Sequence, residues 1–206
     1  GGINTHRGAI FCVGMLCAAI GACRARRIAL SAESIRSILC AQWGEALAAH
    51  SHVVATHPGY QPSHGMQAAA QHAASGAREE AALGLPSVFE VALPALQHTL
   101  AAGRSLHCAR VDAFFSLMAH ISDTNVFHRG GTAGAATVKQ LAQDFLARGG
   151  SAHPHWKDHA LACHQTLVQH RLSPGGAADL LAATCLVQAV VSRDPLSHRN
   201  QSGRQP

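Results

Sequence analysis

The run Ser122-Asp123-Thr124-Asn125-Val126-Phe127-His128-Arg129-Gly130-Gly131 brings together a carboxylate, an amide and two cationic side chains, followed by two glycines. It comes directly after Val111, Phe114, Phe115, Leu117 and Met118, whose spacing is that of a buried helix face. A helix built for packing has no need to end in this way. The inventory suits a sugar hydroxyl, a metal ion and a phosphate, and the glycines allow a backbone to approach a ligand closely. It reads as a nucleotide site. Composition alone offers a plainer alternative, in which Asp123 and Asn125 form an Asx turn and a C-cap.

Two further segments have the same character. Gly1-Gly2-Ile3-Asn4-Thr5-His6-Arg7-Gly8 opens an apolar helix, and Ser173-Pro174-Gly175-Gly176-Ala177-Ala178-Asp179-Leu180 opens another near the end. His6 and Arg7 oppose the positive end of a helix dipole unless an anion sits there. Ser173 offers a cap hydroxyl, and the N–H groups behind Pro174 form an anion site. Asp179 lies one turn inside, either reaching a metal between phosphates or simply complementing the dipole.

The elements that must position these groups read as helices. The 206 residues are enough for one domain with a substantial core, alanine is abundant, and aromatics are few. Val53-Val54-Ala55 and Val190-Val191 are the only short β-branched runs, and neither alternates. Asn4 or Thr5 can cap a helix to about Ala25, and Ser31 caps a second carrying Ile35, Ile38, Leu39 and Trp43. Residues 57–64 read as a loop, and 67–75 as a weakly hydrophobic helix. Pro86 starts a helix through Leu100 that stops at Gly103, and the central helix runs from about His107 to Ile121. A glycine-rich loop then leads to helices over Ala136–Arg148 and His155–Arg171, with the last from Ser173 to about Ser192. The expected fold is all-α, a single-domain bundle of roughly seven or eight helices over residues 1–192. A polar tail, residues 193–206, is expected to be disordered.

Charge and cysteine content narrow the class. The net charge of +5 is not arranged as a basic stripe with aromatics, so it fits small polyphosphates better than nucleic acid. Seven cysteines include no Cys-x-x-Cys pair, which favours buried thiols in a reducing cytoplasm over disulfides or zinc. His50/His52 and His153/His155 are single pairs and read as surface histidines. Gly8–Ala22 is apolar but falls short of the roughly 20 residues of a membrane span, so a buried central helix and no membrane are expected.

Taken in order, the three segments together with Gly76-Ala77-Arg78-Glu79-Glu80-Ala81-Ala82, Leu85-Pro86-Ser87-Val88 and the Leu172–Leu181 run resemble the triphosphoribosyl-dephospho-coenzyme A synthase family. The likeness is closest to the branch serving malonate decarboxylase, with the citrate lyase branch next, and it extends from residue 1 to about 192. The resemblance implies transfer of the triphosphoribosyl group of ATP to the 2′-hydroxyl of 3′-dephospho-coenzyme A with release of adenine. It also implies Mg²⁺, and a downstream transferase that loads the product onto an acyl carrier subunit. On that reading Asp123 and Glu80 are the catalytic acids, and Asp123 and Asp179 meet the metal. Asn4, His6, Arg7, Arg78, Asn125, His128, Arg129, Ser173, Gly175 and Gly176 bind nucleotide and phosphate.

Two departures stand out. Arg7 replaces the family's usual lysine, which keeps the charge but changes its geometry. Glu79 stands where glycine is usual, and it would distort the wall beside Glu80 if that glycine served a close approach. The family also carries a further N-terminal helical region, so the N-terminal part of its domain is expected to be missing here. The rival readings are an inactive nucleotide-binding remnant, a nucleotide N-glycosidic hydrolase, and a purely structural helical protein.

Overall fold

The computed structural model describes residues 6–49 and 76–193. Among these the chain is all helical, with no strand. The elements are α1 (Arg7–Ala25), α2 (Ala32–Leu39), α3 (Ala77–Ala82), α4 (Leu93–Ala101), α5 (Leu106–His120), α6 (Thr124–Ala147), α7 (Trp156–Gln169) and α8 (Gly175–Val191). Two wide π turns extend them. Cys40–Gly44 prolongs α2, and Ser87–Ala92 leads from Pro86 into α4. The expectations for residues 50–75 and 194–206, for Asn4 and Thr5 as caps, and for the histidines at 50 and 52 lie outside the described residues.

Local chemistry explains most boundaries. Ser31 caps α2 by accepting from Ser34 N at 3.0 Å, and Ser105 caps α5 by accepting from Cys108 N at 3.2 Å. Helix α1 ends in a Schellman turn, in which Arg27 takes φ 55° and Ile28 N donates to Cys23 O at 2.9 Å. Gly103 and Gly149 follow α4 and α6 with φ 74° and 99°, as their placement in the sequence suggests.

The core runs between α1, α5 and α8. Cys12, Leu16 and Ala19 of α1 are buried with Leu117 and Met118 of α5 and Val187 of α8. Helix α1 packs on α8 and α2, while α5 packs between α4 and α6. Phe115 stacks on Phe145 at 3.8 Å, which fastens α5 to α6.

Three expectations need correction. The segment after the central helix is not a glycine-rich loop leading to a helix at Ala136. Helix α6 starts at Thr124 and continues to Ala147, with a kink where Gly131 takes φ 59° and ψ −155°. Glycine lowers helix propensity without forbidding the helix, and packing decides here: Gly130 and Gly134 both lie against Leu172. Asp123 is therefore the N-cap of α6, not a C-cap of α5. Lastly, α1 is central only on one side. It has the length and composition to cross a membrane, yet only 28% of its 18-residue apolar window is buried.

Candidate functional site

Helices α1, α6 and α8 begin close together, and the groups that complete their first turns are carboxylates. At the start of α6, Asp123 Oδ1 accepts from Asn125 N at 2.8 Å. Its other oxygen accepts from Ala177 N in the first turn of α8 at 3.2 Å. Pro174 holds the N-cap position of α8 and no side chain of its own caps that helix, so Asp123 caps it from outside. The Ser173 hydroxyl does not play the capping role expected of it. Ser173 is half-buried beside the helix start, and Pro174 pushes the first helical residue on to Gly175.

The paired glycines make this junction possible. A Cβ on Gly176 would sit 3.1 Å from Asp123 Cγ and from both carboxylate oxygens, and one on Gly175 would sit 2.9 Å from Asn125 Nδ2. Gly175 and Gly176 therefore clear space for Asp123 and Asn125. Asp123 is only 6% exposed. Burial pushes its carboxyl above the usual range, while the N–H groups of Asn125, Ala177, Gly176 and Val126 pull the other way.

Asp179 repeats the arrangement one turn into α8. It accepts from Ala9 N in the first turn of α1, whose N-cap His6 provides no side-chain cap. Its carboxylate lies against Gly8, where any Cβ would collide with it. Burial raises its pKa, the Ala9 N–H lowers it, the charge of Asp123 raises it and that of His6 lowers it. Asp179 is half-buried, so it combines access with an unfavourable charge. Arg7 is exposed at the same helix start.

Glu80 supplies the third acid. It is buried, and Ser87 engages both of its oxygens: Ser87 Oγ donates at 2.5 Å and Ser87 N at 3.2 Å. Between Glu80 and Asp179 lies Cys12, whose thiol is pushed up to about 12 by burial and then by those two carboxylates. It cannot act as a thiolate near neutral pH. Glu79 does not distort the wall. It sits in the first turn of α3 with its carboxylate reaching back to accept from Gly76 N at 3.0 Å, and its φ is not positive.

Among the described residues, no Lys or Arg forms an ion pair with Asp123, Asp179 or Glu80. Arg78 is half-buried, and its buried Nη1 has no hydrogen-bond partner among the described residues. Asn125, His128 and Arg129 lie on the exposed side of the first turns of α6, ahead of the Gly131 kink. The structure thus joins Asp123, Asp179, Asn125, Gly175 and Gly176 where α1, α6 and α8 begin, with His6 beside Asp179, while Glu80 is linked to Asp179 only through Cys12, on which both charges act. It shows no contact from Arg129 to the acids. Ser87 and Cys12 had no role assigned from sequence. The available signal was a serine inside the apolar run from Leu85, but nothing in that run tells which acid it meets.

A second polar cluster is structural. Asp112 accepts from Thr99 Oγ1, Ser151 N and Ser151 Oγ, each at 2.7 Å, and so fastens α4, α5 and the 3-10 turn Gly150–Ala152. His153 and His159 lie with ring centroids 4.5 Å apart and their planes tilted by 41°. His153 is half-buried rather than fully on the surface. Among the described residues, no group of three His, Cys, Asp or Glu is gathered closely enough to hold a metal ion.

The described residues thus form an all-helical domain in which the first turns of α1, α6 and α8 meet carboxylates of the chain itself. Residues 1–197 match the family model described as ATP:dephospho-CoA triphosphoribosyl transferase, and the chain belongs to that family. It is 39% identical over 188 residues to a probable 2-(5''-triphosphoribosyl)-3'-dephosphocoenzyme-A synthase of Acinetobacter calcoaceticus, covering 91% of this chain and 62% of the relative. Similarly named proteins of Pseudomonas putida and Vibrio cholerae serotype O1 are 41% and 36% identical over 90% and 96% of this chain. The chain spans about 62% of the length of these relatives. No solved structure matches it significantly.

Proposed function

We propose that this chain transfers the triphosphoribosyl group of ATP to the 2′-hydroxyl of 3′-dephospho-coenzyme A and releases adenine. The observation that carries the reading is the acidic pole: Asp123 and Asp179 at converging helix starts, with Glu80 facing Asp179 across Cys12 and, among the described residues, no Lys or Arg paired to any of them, in a chain of the matching family. In the reaction, the bond from the ribose anomeric carbon to adenine breaks and a bond from that carbon to the acceptor oxygen forms. The acceptor's proton leaves to a base, and the departing purine takes up a proton. The sugar carbon acquires positive character in between, so nearby carboxylates favour that state over the neutral ground state.

The roles follow from how each acid is held. Both oxygens of Asp123 accept backbone N–H groups, so it fixes the junction of α6 and α8 and contributes its charge. Asp179 is the more accessible, and its raised pKa suits a group that takes a proton from the acceptor hydroxyl. Glu80, fixed by Ser87, adds charge behind Cys12. Arg78, Arg7, His6, Asn4, Asn125, His128 and Arg129 are proposed as the triphosphate and nucleotide contacts, with the free Nη1 of Arg78 as the first donor. The start of α8 at Ser173, Gly175 and Gly176 lends its dipole to that end.

A divalent ion fits this pole as one carried in on phosphates. Mg²⁺ commonly takes one or two carboxylates and fills its remaining positions with phosphate oxygens and water. Asp179 would supply such a carboxylate, with buried Asp123 adding its charge behind it rather than a free ligand oxygen. When bound, the ion would neutralise triphosphate charge. Its cellular setting would be the cytoplasm, in keeping with seven free cysteines. The product would serve malonate decarboxylase, with citrate lyase as the other candidate, through a transferase acting on the acyl carrier subunit.

The test is chromatographic detection of adenine from ATP and Mg²⁺, with and without 3′-dephospho-coenzyme A. Acceptor-dependent release supports the transfer. Release that ignores the acceptor points to hydrolysis instead.

A further inference from the structure

Helix α1 presents to solvent a face without one polar side chain between Arg7 and Arg24. Ile10, Gly14, Cys17, Ala18 and Gly21 are its exposed residues there, and they recur at intervals of four, three, one and three, as one stripe along the helix. Ile10 is 72% exposed, among the largest apolar exposures in the structure. Among the described residues, a Cβ added at Gly14 or Gly21 would meet nothing within 4 Å, so none of them covers the stripe. The opposite side of the same helix, with Cys12, Leu16, Ala19 and Cys23, is fully buried. A surface helix of a globular protein typically carries charged or polar residues on its outer side. This one does not.

We infer that the outer face of α1 is the seat of an amphipathic helix belonging to the part of the family's chain that lies outside the region matched here. Two observations support that occupant. The relatives are longer than the matched region, of which the chain covers about 62% of their length, and the remainder of those chains needs an apolar seat if it is to fold onto this domain. The stripe is also shaped for a helix, because glycine and alanine leave a shallow groove into which a ridge of larger side chains fits at short interaxial distance. The seat ends at His6 and Arg7, beside Asp179, so a docked helix would wall one side of the acidic pole. The inference rests on family membership and burial, and association can be measured whether or not the chain is active.

Cys17 lies on the stripe and is exposed, while Cys40 is exposed elsewhere and serves as an internal control. The probe is the unmatched portion of the Acinetobacter relative, added in trans and also fused to the 206-residue chain by a flexible linker. Maleimide labelling is followed at each cysteine by mass spectrometry. Labelling of Cys17 should slow at least tenfold with the segment present, with Cys40 unchanged. The double variant Gly14→Gln/Gly21→Gln, which adds bulk only in open space, should restore the original rate without lowering the Tm of the chain alone. Unchanged Cys17 labelling in the fusion, or protection that survives the double variant, would overturn the inference. So would protection of the chain alone that vanishes on dilution, which means a second copy, or protection produced by phospholipid vesicles and not by the segment.

Discussion

Asp123 is bonded to two helices at once, and a double-mutant cycle with Gly176 measures that directly. In Asp123→Ala, the Asn125 N–H at the start of α6 loses its cap, a loss worth about 1 kcal/mol. The Ala177 N–H, bonded in a buried setting, loses its only described side-chain acceptor at about 1–3 kcal/mol. Relief from burying a carboxylate whose pKa is already raised offsets part of this. The net expectation is a loss of about 1–3 kcal/mol, or a Tm lower by roughly 2–12 °C for a chain of this size. Gly176→Ala places a Cβ 3.1 Å from a carboxylate that backbone bonds hold in place, and should cost about 1–2 kcal/mol. In the Asp123→Ala background the same substitution has room, so helix propensity should make it neutral or stabilising by up to about 0.5–1 kcal/mol. The coupling between the two sites is then about 2 kcal/mol. Urea unfolding of the four proteins provides the number. Additive effects within about 0.5 kcal/mol would refute the joint.

Further outcomes follow from the same contacts. Asp123 and Asp179 both have carboxyls raised from an ordinary value of 3.8, so the folded chain binds protons more tightly than the unfolded one. Their contribution favours the fold below pH 3.8 and is lost as pH rises through the folded values; the variant Asp179→Asn should flatten that slope in urea midpoints measured between pH 4 and 6.5. Ser87→Ala removes the 2.5 Å donor from buried Glu80 and should destabilise by about 1.5–3 kcal/mol by the same measurement, with Ser87→Thr retaining part of it. Gly14→Ala, in an exposed helix interior with nothing nearby, should stabilise by about 0.5–1 kcal/mol in thermal melts.

Helical periodicity and stop signals made the elements legible in the sequence. The central helix, the Pro86 start and the endings at Gly103 and Gly149 are local matters, and each fell where residue chemistry puts it. The glycine-rich stretch after Arg129 misled because low intrinsic propensity was outweighed by packing on Leu172, a contact made across the chain. The site was legible as an inventory but not as an arrangement. Ser173 looked like a cap because Ser-Pro at a helix start usually is one, while the acceptor used comes from Asp123, 54 positions away from Ala177. In the same way, Ser87 gave no sign that it would hold Glu80, since that pairing depends on the turn between α3 and the wide helix that follows. Long-range pairings of short polar side chains leave no periodic trace.

The central claim is that chemistry occurs at the pole where α1 and α8 begin, and acceptor-dependent adenine release by paired variants tests it most directly. Asp179→Asn should lower kcat/KM by roughly 100-fold or more, as expected for loss of a general base, with the melting transition kept. Asp112→Asn, in the structural cluster about 12 Å by helical rise from the end of α5 that leads to Asp123, should change stability while leaving kcat/KM within a few-fold. A cooperatively folded chain that releases no adenine with ATP, Mg²⁺ and 3′-dephospho-coenzyme A, or an Asp179→Asn variant as active as the parent, would contradict the account.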